Sequence, residues 1–295
     1  MPPPEPQSLR VDGAGQALAA EEVAPFGEGE PAPGESPATI VLLHGLTASR
    51  RYVVHGSRLL ARRGLRMIAY DARGHGESDP APEGGGYSYD ELSADLGSVL
   101  DELAPQTGVI LAGHSMGSHT VAAYALDHPE RIAALVLIGP ASTGTPPEES
   151  LLDHWDALAD GLERDGPKGF AEAYDSDLDP QWRETLLQIT RDRLGHHRHP
   201  EAVAQALREV PRSVPFEGLG ELESCHLPAL VVASHDEADP GHPYDVAAAW
   251  AERLPGARLV SEPEGHSPLA WQGGRLSREI AAFCDEEPVI ERLRR

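Results

Sequence analysis

Two kinds of apolar pattern alternate along this chain. Residues 39–43, 66–70, 108–112, 132–138, 228–233 and 257–261 are short, nearly continuous apolar runs rich in β-branched side chains. Such runs predict strands buried on both faces. Between them, apolar positions recur at helical spacing, which predicts helices near 49–63, 88–103, 116–127, 244–254 and 271–284. Pro129 stops the third of these, because proline cannot continue a helix. Alternating strands and helices predict βαβ units, hence a parallel sheet with helices on both faces. Residues 9–23 read as a short hairpin around Asp12-Gly13-Ala14-Gly15, and 27–37 as a Gly/Pro/Glu loop.

The alternation breaks between Pro140 and His226. These 87 residues contain helical patterns, such as Leu151, Trp155, Leu158 and Leu162 on one face, but no buried-type strand. That length is too great for a loop in a compact domain. It reads as an inserted helical cap, giving a discontinuous core of 8–139 and 227–285, a cap of 140–226, and flexible tails at 1–7 and 286–295. Trp155, Phe170, Tyr174, Trp182 and Phe216 of the cap either line an apolar pocket or, for most of them, pack the cap helices on each other.

Candidate chemistry gathers where predicted strands end. The run 108–112 leads into Gly113-His114-Ser115-Met116-Gly117 and at once into a helix. This is G-x-S-x-G in the strand–turn–helix context that gives the motif meaning. The turn has to hold Ser115 in a strained conformation with its hydroxyl raised, and glycine is needed wherever chain passes that close. Alone, the five residues also fit an ordinary serine in a Gly-rich turn. Three further features, in order, separate the readings. His44-Gly45-Leu46 follows the strand at 39–43 and can supply an oxyanion donor from the Leu46 backbone N–H, beside that of Met116. Asp71-Ala72-Arg73-Gly74-His75-Gly76-Glu77-Ser78 forms a second turn, braced by an Asp71–Arg73 pair. Asp236 and Asp239 follow the strand at 228–233, and His266 follows the last strand, completing the order Ser…Asp…His.

With these residues assembled, the chain resembles the α/β-hydrolase fold family over roughly 9–284. The resemblance implies an eight-stranded, mostly parallel sheet with helices on both faces and a cap inserted after the strand at 132–138. It implies a triad of Ser115, Asp239 and His266. Relatives that cleave epoxides or carbon–halogen bonds place an aspartate where Ser115 stands here, so those branches are set aside. Family members show the acid four residues before a proline, and both Asp236 and Asp239 meet that rule. Asp239 is preferred for its Asp-Pro-x-His-Pro loop, with Asp236 the alternative.

Charge narrows the partners. With 24 basic and 48 acidic residues the chain carries a formal −24, so nucleic acid and anionic membranes would be repelled. The cap holds 18 acidic and 8 basic residues, which mildly disfavours anionic substrates. The start lacks the basic and apolar segments of a secretory signal, and Cys225 and Cys284 lack metal-like spacing, so a cytoplasmic protein with reduced thiols is expected. His196, His197 and His199 sit in a charged turn and read as solvated rather than metal-binding, and no metal is expected.

The function expected is a serine hydrolase cleaving a small, uncharged carboxylic ester, thioester or lactone through an acyl-enzyme on Ser115, without a cofactor. The alternatives are the same triad used for C–C bond hydrolysis or perhydrolysis, and, in another class, a non-catalytic ligand-binding protein on the same fold. Monomer and homodimer are both left open.

Overall fold

Along β3 (Thr39–Leu43), Val41 and Leu43 enter one apolar core while Ile40 and Leu42 enter another. The same alternation runs through β5 (Val109–His114), β7 (Ala229–Val232) and, from Ala134 onward, β6 (Ile132–Ile138), because successive strand side chains point to opposite faces. This explains why these strands are apolar throughout rather than at every second position. The protein is seen in a computed structural model that describes residues 4–32, 34–83, 85–106, 108–174, 180–235, 239, 241–262, 271 and 274–294.

The eight-stranded sheet has β1 (Gln7–Asp12) and β2 (Ala17–Val23) at one edge, then β4 (Arg66–Tyr70), β3, β5, β6, β7 and β8 (Arg258–Val260). β1 and β2 form the expected hairpin, and β2 joins β4 antiparallel. Every other pairing is parallel. One face is covered by α2 (Tyr89–Leu103), α3 (Met116–Asp127) and α7 (Tyr244–Arg253), through Leu96, Leu100, Val121 and Trp250. The other is covered by α1 (Leu59–Arg62), α8 (Gly274–Cys284) and α9 (Glu287–Leu293), through Leu60, Ile280 and Val289. Ser88 opens α2 with a reciprocal capping box to Glu91.

Between β6 and β7 the chain forms α4 (Glu149–Tyr174), α5 (Arg183–Leu194) and α6 (Pro200–Glu209), the inserted helical cap. α4 breaks at Asp165 and Gly166, immediately before Pro167. Leu158, Leu162, Phe170, Leu194, Val203 and Leu207 give the cap a core of its own. Phe170 is buried in it, with Trp155 and Tyr174 packed alongside, while Phe216 leaves the cap to meet Trp250 of the main core. These four aromatics therefore pack on neighbouring side chains.

Two expectations change. The helix predicted over 49–63 is a 3₁₀ turn at Arg50–Tyr52 followed by the single turn of α1. His55 and Gly56 both take positive φ (48° and 70°), which ends right-handed helix between them. At the other end, a flexible segment was expected over 286–295, but α9 forms there. Its Val289 is fully buried, and the Arg292 guanidinium donates to the Ile132 carbonyl at 3.0 Å. Short amphipathic pieces between charges read as mobile until a groove for their apolar residue is known.

Candidate active site

Ser115 lies at the carboxyl end of β5 with φ 53° and ψ −116°, a conformation that a non-glycine residue rarely adopts. The bend is forced by close packing. A Cβ on Gly113 would stand 2.2 Å from the Gly117 carbonyl carbon, and one on Gly117 would stand 2.3 Å from the Leu43 carbonyl oxygen. Both glycines of the motif are therefore steric requirements. The Ser118 hydroxyl ties the turn down by donating to the carbonyls of Gly113 (2.7 Å) and Ile138 (2.9 Å). Ser115 precedes the first turn of α3, yet its side chain makes no capping hydrogen bond. The hydroxyl is not spent on capping α3.

The His44-Gly45-Leu46 loop does reach this elbow: a Cβ on Gly45 would lie 3.0 Å from the Ser115 Cβ and 3.0 Å from His114 Nδ1. His44 is buried, accepting from the Ala72 N–H at Nε2 (2.9 Å), so Nδ1 carries the proton and donates to the Gly45 carbonyl (2.8 Å). Burial lowers the His44 pKa to about 4. Met116, the other expected donor, is buried at the start of α3.

His119 was not singled out from the sequence, although it stands one helical turn after Ser115. Its Nδ1–H donates to the Ser115 carbonyl (3.0 Å), joining its own backbone N–H (3.2 Å), and its Nε2 accepts from the Ser142 hydroxyl (3.0 Å). Spacing of i and i+4 on a helix was the available signal.

Asp71 and Arg73, expected to pair, find other partners. Asp71 is fully buried, accepting from the Arg50 backbone N–H (2.7 Å), the Arg50 guanidinium and the Glu77 N–H (2.9 Å). Arg73 clamps Asp95 of α2 through two bonds, at 2.7 and 3.0 Å. The turn is thus braced from within by Glu77 and Ser78 and from outside by Arg50 and Asp95, not by an Asp71–Arg73 pair.

The two aspartates and the histidine diverge in what can be described. Asp236 and His266 lie outside the described residues. Asp239 lies in the β7–α7 loop with its carboxylate 2.8 Å from His242 Nδ1. Although burial raises its pKa, the neighbouring His242 outweighs that, and the carboxyl is held down to about 2. A cavity of about 440 Å³ brings Asp239 and His242 together with His114, the residue before Ser115, and with Ile138 and Gly139 at the end of β6. Ile189, Asp192 and Arg193 of α5 close it from the cap side. A larger hollow of about 500 Å³ opens instead on Arg50, Asp71 and Glu77 and contains no residue of β5. The smaller cavity, at the carboxyl ends of β5, β6 and β7, is the one placed to hold a substrate.

His197 departs most from expectation. It is buried, not solvated: Gly76 N–H donates to its Nδ1 (2.8 Å), and its Nε2–H donates to the Thr47 carbonyl (2.9 Å). Among the described residues no group of three or more His, Cys, Asp or Glu side chains is arranged to hold a metal ion.

A model of the alpha/beta hydrolase fold matches residues 38–218. The chain belongs to the α/β-hydrolase fold family. It is 31% identical over 256 residues to a candidate carbamate hydrolase, RutD, of Variovorax paradoxus, covering 86% of this chain and 92% of that protein. It is 30% identical over 259 residues to a 2-hydroxy-6-oxononadienedioate/2-hydroxy-6-oxononatrienedioate hydrolase of Burkholderia vietnamiensis, covering 85% and 88%. An esterase from Exiguobacterium antarcticum superposes with a TM-score of 0.74 at 21% identity, over 95% of this chain and all of that one. This α/β-hydrolase is a hydrolytic enzyme of the serine branch.

Burial of neutral imidazoles in this hydrolase sets its acid behaviour. His44 and His114 are lowered to about 4 and about 3, and His75, His119 and His197 are lowered as well, each chiefly by burial. Unfolded histidine takes up a proton near pH 6.5, whereas these groups resist it when folded. Stability is therefore full above about pH 6.5 and falls as the pH drops toward 4, His44 alone accounting for on the order of 3 kcal/mol at the lower limit. Relief of acidic surface repulsion acts in the opposite sense, but salt screens it. Calorimetry in ~0.15 M salt should show Tm falling steadily between pH 6.5 and 4.5. A level Tm over that range would mean that these rings are not held neutral.

Proposed function

We propose that Ser115 is the nucleophile of an esterase-type hydrolase acting on a small, uncharged carboxylic ester, thioester or lactone. The observation that carries this reading is the Ser115 elbow. A strained serine whose hydroxyl does not cap α3 lies at the carboxyl end of β5, against the Gly45 backbone and beside the 440 Å³ cavity. In this reading His266 takes the Ser115 proton as the oxygen attacks the carbonyl, then returns it to the leaving group. Asp239 orients that imidazole and stabilises its charged form. The backbone N–H groups of Leu46 and Met116 receive the oxyanion. Water then releases the acid from Ser115.

Local charge supports an uncharged substrate. Arg193 of the cap wall faces the Asp239 carboxylate electrostatically across the same cavity, and Asp192 lines it too, so the pocket offers no net positive field. No helix among the described residues is long and apolar enough to cross a membrane. A small molecule met in the cytoplasm fits this reading. A fluorophosphonate probe tests it: one equivalent should attach, and peptide mass mapping should place it on Ser115. An unlabelled chain that also fails to hydrolyse p-nitrophenyl esters, thioesters and lactones of two to eight acyl carbons would favour the ligand-binding alternative.

A further inference from the structure

We infer that His197 of the cap is a positioning residue for the oxyanion loop, acting through a hydrogen-bonded chain of peptide groups that ends at the Leu46 N–H. The inference rests on the reading that Leu46 donates to the oxyanion. Gly76 N–H can only donate, so His197 Nδ1, 2.8 Å away, is the unprotonated nitrogen. The ring proton is then on Nε2, which donates to the Thr47 carbonyl at 2.9 Å. That carbonyl shares a planar peptide with the Ala48 N–H, which donates to the Gly45 carbonyl at 3.0 Å. The Gly45 carbonyl in turn shares its peptide with the Leu46 N–H.

The donors therefore run in one direction: Gly76, His197, Ala48, Leu46. In a trans peptide C=O and N–H point opposite ways, so pinning the Gly45 oxygen aims the Leu46 N–H away from it. His44 Nδ1–H grips the same oxygen at 2.8 Å and reinforces that aim. Bonds in series in a low-dielectric interior also polarise one another, which makes the terminal N–H a better donor. Thr47 needs such an anchor, since it holds a left-handed φ of 68°. Two rings complete the packing: His75 lies 5.2 Å from His44 and 5.6 Å from His197, centroid to centroid. The cap thus contributes to the oxyanion loop as well as roofing the cavity. Only a docked cap completes the chain.

The geometry of substitutes separates this role from cap docking. A glutamine at 197 places an amide N–H where Nε2 stands and can still donate to Thr47. An asparagine reaches only the Nδ1 position, where its oxygen can accept from Gly76. With p-nitrophenyl acetate, His197→Gln should keep kcat within about threefold of wild type. His197→Asn and His197→Ala should lose roughly tenfold to a hundredfold in kcat with KM nearly unchanged, less than the full removal of a donor because the N–H is misaimed rather than absent. Equal kcat for the Asn and Gln variants, or a loss confined to KM or Tm, overturns the inference. Should the Asn variant not fold, ¹⁵N NMR of the wild-type ring decides instead: Nε2 must carry the proton and Nδ1 none at neutral pH, and the opposite tautomer overturns it. Fluorophosphonate labelling of wild type keeps the outcomes apart. A labelled Ser115 with indifferent His197 variants removes only the positioning role, whereas an unlabelled wild type removes the function beneath it.

Discussion

Ser115→Ala lowers kcat at least about a thousandfold and leaves the fold in place. The catalytic half of that expectation follows from the proposed mechanism, in which the Ser115 oxygen forms the acyl-enzyme. The structural half follows from the elbow itself. The Ser115 hydroxyl makes no capping bond, so nothing in the start of α3 depends on it. The positive φ of 53° is borne by Gly113 and Gly117 packing against neighbouring backbone and by Ser118, none of which changes. Alanine at this φ is strained much as serine is, so stability should shift by no more than about 0.5 kcal/mol. The check is kcat on a p-nitrophenyl ester alongside Tm. Near-normal turnover in the variant would end the serine-hydrolase reading.

The second large effect concerns the acid. Asp239→Asn should cost about 10⁴ in kcat, because an amide behind the catalytic imidazole favours the wrong tautomer. Asp236→Asn should stay close to wild type, because only one carboxylate can sit behind the imidazole. Asp239 has the properties the role needs: it lines the cavity shared with His114, and its carboxyl is held at about 2, so it stays ionised across the working pH range. Its visible partner is His242, however, and that contact requires a control. His242→Gln removes the His242 contact to Asp239 without touching an acid that serves His266, and should retain most of kcat. Both aspartate variants are compared well below their melting points, so that lost loop stability does not masquerade as lost catalysis. Should Asp236→Asn be the inactive enzyme and Asp239→Asn the active one, the acid is Asp236 and the mechanism stands.

Much of this enzyme is legible without coordinates because its strands are buried on both faces. The runs at 39–43, 66–70 and 132–138 match β3, β4 and β6 residue for residue, since burial on both faces leaves polar residues only at the first positions, Thr39 and Arg66. The elbow is legible for a steric reason: Gly113 and Gly117 each stand where any Cβ would meet backbone. Partner choice was less accessible. Asp71 and Arg73 look like a pair along the chain but point to different neighbours, Arg50 and Asp95, each supplied by another segment. The helix expected over 49–63 fails because helical spacing of apolar residues does not register the left-handed backbone at His55 and Gly56.

By itself, then, the order of residues determined the sheet of strands and helices, the insertion after β6, and a serine elbow followed by candidate acids and a late histidine. These depend on local sterics and on periodic burial, both of which are written in neighbouring residues. Tertiary structure alone decided which side chains meet across long separations. It took His197 out of a charged turn and set it between Gly76 and Thr47, 121 and 150 positions away in the chain. It turned the end of the chain into α9 by offering Val289 a place in the core under the sheet. A histidine's role depends on the donors and acceptors that surround it, and here those belong to backbone groups of distant loops, which carry no residue-type signal.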